Sequence, residues 1–196
     1  MSAHEHLEHA DHIEHASHSN KKIALLIAVL ALFLAFSETL GKSAQTAAID
    51  FNVQSSDLWA FYQAKHIRQA ILNVAAQQLQ IETDRVTDPA VKTRVAKLIA
   101  DWKKTVARYE SDPASMEGRK ELADKAKTAE HKRDLAMARY HHYELASAAF
   151  QIGIVLASAE VITGMMALAY LSGLLGIVGL GFTALGLWAP HAVHLF

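Results

Sequence analysis

The chain has 196 residues, 52% of them hydrophobic, a formal net charge of −1 and no cysteine. The missing cysteines exclude disulfides, zinc–thiolate sites and thiol catalysis, and charges of both signs interspersed through the middle of the chain leave no footprint for nucleic acid. Charged residues are nearly absent from residues 23–40 and 146–196 and crowd between them, the pattern of a membrane protein with a polar helical middle.

The chain opens on HEHLEHADHIEHASHS, which carries half of the twelve histidines. His6, His9, His12, His15 and His18 recur at every third position. Glu5 with His9, Glu8 with His12, Asp11 with His15 and Glu14 with His18 are i,i+4 pairs with the acid toward the N-terminus, which stabilise a helix more as the histidines protonate. Histidines three apart can share an ion, and imidazole suits Zn, Ni and Cu. Successive triplets on an α-helix turn by about 60°, so the ligands spiral apart, and loose, exchangeable metal binding is expected rather than a structural site. Three readings of this leader stand side by side: a solvated or disordered acidic segment, a loose metal binder, and a segment whose helix forms with pH, the last two making it a sensor. No resident cofactor is expected.

KKIALLIAVLALFLAFSETLGK follows, with about twenty residues in the apolar run, enough to cross a hydrocarbon core of ~30 Å. The preceding segment is acid and histidine, and no A-x-A site follows, so the run is read as a retained anchor rather than a cleaved signal peptide. Glu38, beside Ser37 and Thr39, lies near the end of this span within reach of headgroup water.

The middle shows no strand-like alternation. Its two breaker sites, TDPAV and SDPAS, read as helix starts, with Asp88 and Asp112 as N-caps and Pro89 and Pro113 at the first helical position. Three helical segments follow: 41–83, 89–109, and one running from 113 through the second span to 171, about 90 Å at 1.5 Å per residue. Val91, Val95, Leu98, Trp102, Thr105 and Tyr109 form a coiled-coil seam on the second, and Leu122, Ala126, Ala129, Arg133, Ala136, Tyr140 and Tyr143 continue that spacing on the third. Ile67, Ile71, Val74, Gln78 and Ile81 form another stripe on the first, and all these stripes need partners.

QSSDLWAFYQAKHIRQ, residues 54–69, resembles the uncharacterised bacterial membrane proteins of the DUF4337 type, a domain of unknown function in which an S-D-x-W-A-F-Y-Q-A-K-like run follows the first span. Ser56, Asp57, Trp59, Ala60, Phe61, Tyr62, Gln63, Ala64 and Lys65 carry the likeness. It extends over most of the chain from about Lys21 onward and leaves the histidine leader outside. The resemblance implies a family and a membrane location, and brings no activity, cofactor or catalytic residue. Physically, the motif is a helix surface at the membrane exit, with Trp59 and Tyr62 either packing on neighbouring helices or forming an interface for a partner or a lipid headgroup.

The last two apolar runs read as spans 146–171 and 172–196, turning near residues 171–174, with Tyr170 and Trp188 suited to the interfaces. Glu160 falls near the middle of the second. Gly153, Ala157, Glu160 and Gly164 step by four, three and four along one face, and small residues let helices approach closely. Glu160 therefore belongs on a protein-facing seam, against the third span stepped by Gly173, Gly176 and Gly179 or against another copy. It is either a protonated carboxyl donating a hydrogen bond across that seam or a proton or cation site in a pore.

The expectation is an all-α membrane protein with three transmembrane helices and a projecting antiparallel helical-hairpin or coiled-coil stalk. Its regions are a leader (1–20), the first span (21–41), the stalk (42–145), the second span (146–171) and the third with the C-terminus (172–196). It reads as a non-enzymatic, multi-pass protein of the bacterial inner membrane, a homo-oligomeric scaffold or partner-binding assembly, with a channel component as the alternative. Its partners are the lipid bilayer and further copies of itself; a protein partner is unknown. Lys21 and Lys22 argue for a cytoplasmic leader and an exported stalk, while Lys42 and the basic residues before the second span argue the reverse.

Overall fold

A computed structural model describes the backbone of residues 3–192 and the side chains of residues 21–192. Over these residues the chain is helical, with no strand: α1 (Ala3–Asp84), α2 (Pro89–Glu110), α3 (Arg119–Thr163) and α4 (Met166–Trp188). Lys21–Thr83 within α1, α3 and α4 are each long and apolar enough to cross a membrane. The chain divides into two compact units, one of Met1–Ala48 with Asp134–Phe196 and one of Ile49–Arg133.

The first unit is a close approach of α1, α3 and α4. Leu30, Ala146 and Phe150 form its buried centre, with Leu26, Phe33, Leu34, Ile154 and Phe182 against them. The Phe33 and Phe150 rings stack with centroids 6.0 Å apart. On α4 the buried residues are Ser172, Gly176, Gly179 and Gly186, and each faces something that needs the room. A Cβ at Gly179 would lie 2.7 Å from the Phe150 ring, one at Gly186 2.7 Å from that of Tyr143, and one at Gly176 2.8 Å from Leu30. Ser172 Oγ donates to the Gly153 carbonyl at 2.7 Å, and Ser37 Oγ to that of Tyr143 at 3.0 Å, so each hydroxyl ties its helix to the backbone of α3. As numbers rise on α3 from 143 through 150 to 153, their α4 partners fall from 186 through 179 to 172, so these two helices run antiparallel.

The turn between α3 and α4 falls at Gly164 and Met165, not at residues 171–174. Gly164 takes φ +69°, and its N–H donates to the Glu160 carbonyl at 2.7 Å, closing α3 with a left-handed glycine cap. Gly164 is exposed and belongs to this turn rather than to the small-residue seam, whereas Gly153, Ala157 and Glu160 are all buried. Gly173 has open space around its α-carbon; Ser172 occupies the seam in its place.

In the second unit, α1 is lined along its inner face first by α3 and then by α2. The start of α2 is as expected: Asp88 Oδ1 accepts from Ala90 N–H at 2.8 Å, with Pro89 in the first turn. The equivalent start at Asp112–Pro113 does not continue. Asp112 caps a single turn through Ser115 N–H, Met116 then takes φ 58°, and α3 begins only at Arg119. A non-glycine residue with positive φ cannot propagate a right-handed helix. On α2, Ile99 is buried where Leu98 is expected, and Leu98 is exposed. On α3, Leu122, Ala126 and Ala129 are the buried face in this unit, and Ala136 and Tyr143 are buried in the first.

On α1 the buried face is not the aliphatic one. Its inward residues Ser55, Tyr62, Lys65, Gln69, Ala76 and Thr83 are spaced seven, three, four, seven and seven apart, and Ser37, Gly41, Ala44 and Ala48 in the first unit step by four, three and four. The aliphatic stripe Ile67, Ile71, Val74 and Ile81 points outward instead. Small and polar residues are inside because the facing helices approach closely or offer hydrogen bonds.

Gly179→Ala should destabilise the isolated protein by about 1–3 kcal/mol through overpacking against Phe150, while Gly173→Ala should be neutral to within about 0.5 kcal/mol. Thermal melts in mild detergent check both, and equal effects would contradict this seam.

Candidate functional site

The motif residues that mark the chain converge on a polar cluster within the second unit. Trp59 Nε1 donates to Glu130 Oε1 at 2.8 Å, and Ser55 Oγ donates to the same oxygen at 3.4 Å. Trp59 and Tyr62 meet edge to face, centroids 5.4 Å apart. Arg119 lies over the Tyr62 ring, its guanidinium carbon 4.7 Å from the centroid. Its Nη2 donates to Tyr62 Oη at 2.7 Å, and its Nη1 donates to Gln69 Oε1 at 2.7 Å and Glu110 Oε2 at 2.9 Å. One planar guanidinium thus joins α1, the end of α2 and the start of α3.

Lys65 is buried beside it. Its ammonium donates to the Glu117 carbonyl, pairs with the Glu117 carboxylate at 3.7 Å and lies 4.9 Å from the Phe61 ring centroid. Residues 111–118 are held from the other side by Glu121, which accepts from Ser111 Oγ at 2.6 Å and from the Asp112 N–H at 3.2 Å. The Ser111 hydrogen bond, the largest influence, holds the Glu121 carboxyl below its ordinary value, and hydrogen bonds from Ser115 do the same for Asp112. Trp59 and Tyr62 are therefore packed and hydrogen-bonded inside the unit, whereas Asp57 and His66 of the same motif are exposed.

In the first unit, the two singled-out acids differ. Glu38 is exposed, and its Oε1 accepts from Gln151 Nε2 at 3.2 Å. It borders a groove with Lys42, Tyr140 and Glu144. Glu160 is 3% exposed, and its Oε2 has no hydrogen-bond partner. It occupies the last turn of α3, three residues before Thr163, and not the middle of a span reaching residue 171. Gly153 and Ala157 share its buried face.

His142 is a buried residue that no motif in the sequence marks. It stacks on Phe182 with centroids 6.2 Å apart, and places Nε2 3.1 Å from the Pro190 carbonyl. A carbonyl only accepts, so Nε2 carries the proton and Nδ1 is left as a buried nitrogen without a partner. A signal lay in its neighbour Tyr143: α3 touches both α1 and α4 at this level, so two adjacent residues turn inward.

Among the described residues, no three His, Asp or Glu side chains come together where they could hold a metal ion. The leader histidines His6, His9, His12, His15 and His18 lie outside the described side chains. The family model described as a domain of unknown function, DUF4337, matches residues 19–189. No curated protein and no solved structure matches the chain.

Removing Arg119 leaves Gln69, Glu110 and Tyr62 without their shared donor. Arg119→Ala should cost about 2–4 kcal/mol, and Arg119→Lys should restore less than half of it because an ammonium lacks the planar fork; thermal denaturation of both variants reads this. The depressed acids set a pH dependence. Their stabilisation of residues 111–118 is complete above the ordinary carboxylate range and is lost as pH falls through the depressed folded values. Melting curves taken through that acid range should show this loss in the wild type and a smaller one in Glu121→Gln.

Proposed function

The chain belongs to the DUF4337 family, and on that premise we propose that it is a non-enzymatic, homo-oligomeric scaffold of the bacterial inner membrane. In this reading α1, α3 and α4 cross the bilayer, α3 and α4 as a hairpin. Residues 42–145 form a helical stalk that presents a surface to partners, exported while the leader stays in the cytoplasm. The observation that carries the reading is the direction of the side chains: large apolar residues face outward in both units, Ile162 at 86% and Trp188 at 82% exposure among them, while the polar groups pair with one another inside. Outward apolar surface suits lipid where the chain crosses the bilayer and other copies where it does not.

A second reading has its own support. Glu160 is buried with one oxygen unpartnered, so a channel component using it for protons or cations is the alternative.

Purified in mild detergent, the full chain should run as one oligomer across a wide concentration range; a monomer throughout would overturn the scaffold. In proteoliposomes, the scaffold reading expects equal ion flux for wild type and Glu160→Gln. Flux lost in the variant with assembly intact would replace it with the channel.

A further inference from the structure

We infer that the outward face of α1 in the second unit is a self-association surface, on which a second copy of this chain lays the same face in parallel. The inference rests on the oligomeric reading above and gives it a location.

Ile67, Ile71, Val74 and Ile81 are 58%, 61%, 64% and 61% exposed. With Gln78 between the last two, they step by four, three, four and three, and Ala60 and Ala64 prolong the stripe toward the N-terminus. No residue in this series is charged. The stripe lies on the side of α1 away from Tyr62, Gln69, Ala76 and Thr83, which face inward. Lipid does not account for it: Lys42, Asp50, Asp57 and Lys65 stand between the apolar run of α1 and Ile67, and Arg68 and Glu82 flank the stripe. α2 does not cover it either, since α2 reaches α1 through Gln69 on the inner face.

The periodicity and symmetry identify the occupant. Apolar residues repeating every three and four positions form half of a coiled-coil seam, which a helix with the same repeat completes. α1 carries that repeat on this face. Copies inserted the same way in one bilayer are related by an axis along its normal, which brings each residue level with its own counterpart. Ile67 then meets Ile67, Ile71 meets Ile71 and Val74 meets Val74. Gln78, the one polar residue of the stripe, meets Gln78, whose amide supplies both the donor and the acceptor it needs. A single polar residue in an apolar seam fixes register in this way. Each pair is close enough to test chemically, because facing seam positions fall within the ~4–7 Å Cα separation that a disulfide tolerates.

The chain has no cysteine, so single cysteines report cleanly. In membranes carrying the full-length protein, Ile71→Cys and Val74→Cys should give a disulfide-linked pair of copies on oxidation, and Asn73→Cys, exposed but off the stripe, should not. In detergent, the double variant Ile71→Glu with Val74→Glu should keep its helix content and weaken self-association at least about a hundredfold, since four apolar side chains leave each contact. An undiminished oligomer in the double variant, with cross-linking at 73 equal to that at 71, overturns this surface and leaves the oligomeric reading standing. A wild-type monomer at every concentration overturns both. Cross-linking at 71 to a species of different mass overturns the choice of a second copy and points to a foreign partner.

Discussion

Close approach of helix backbones is the constraint on which the rest of the first unit depends. α3 and α4 meet where Gly179 leaves room for Phe150 and Gly186 for Tyr143, and α1 reaches α3 at Leu30 and Gly153. In the bilayer proposed for these helices, apolar side chains gain nothing by leaving lipid for one another, so association there rests on dispersion at short range and on interhelical hydrogen bonds. Both are present: aromatic rings seated over glycines, and the Ser37 and Ser172 hydroxyls bound to backbone carbonyls of α3. The consequence is an inside of small residues and an outside of large ones. Leu32, Val155 and Ile162 face outward because the seam has no space for them.

The second unit keeps small and polar residues inside α1 but satisfies them differently. Here the inward positions are Ser55, Tyr62, Lys65 and Gln69, and the facing groups are Glu130, Arg119, Glu110 and Glu117. A buried charge is costly unless paired and hydrogen-bonded, so this cluster admits few alternatives. Sliding α1 by one turn would leave Arg119 without Tyr62 and Lys65 without Glu117. The network adds specificity where an aliphatic seam would tolerate a shift of register. Within the tryptophan–tyrosine motif, Ser55, Trp59, Tyr62, Lys65 and Gln69 each have a partner far away in sequence.

Much of the fold was legible from capping and composition, and the errors share a cause. The three apolar helices and the Asp88–Pro89 start could be read from local chemistry, because a run of aliphatics and a capping carboxylate act on their own segment. Asp112–Pro113 carries the same local signal and stops after one turn, because Lys65 and Glu121 hold residues 111–118 from outside that segment. Gly164 looked like a step in a small-residue seam, yet the same residue type also ends helices, and only the backbone distinguishes the two uses. The inner face of α1 was not legible for the converse reason. Periodicity finds the aliphatic stripe, but here the buried face is the polar one, and its partners are set by tertiary contacts. Of the candidate site residues, Trp59 and Tyr62 come together as one cluster; Glu38 and Glu160 do not share a site; and His142 gave no pattern, since a single buried histidine has no period.

Glu160 changes meaning with the position of the turn. At the centre of a long span its carboxyl would need a reason tied to transport. In the last turn of α3 it lies where helix carbonyls run out and where Met165 begins α4 without a side-chain cap. Burial and an unpartnered oxygen keep it unusual, but its surroundings are those of a helix junction.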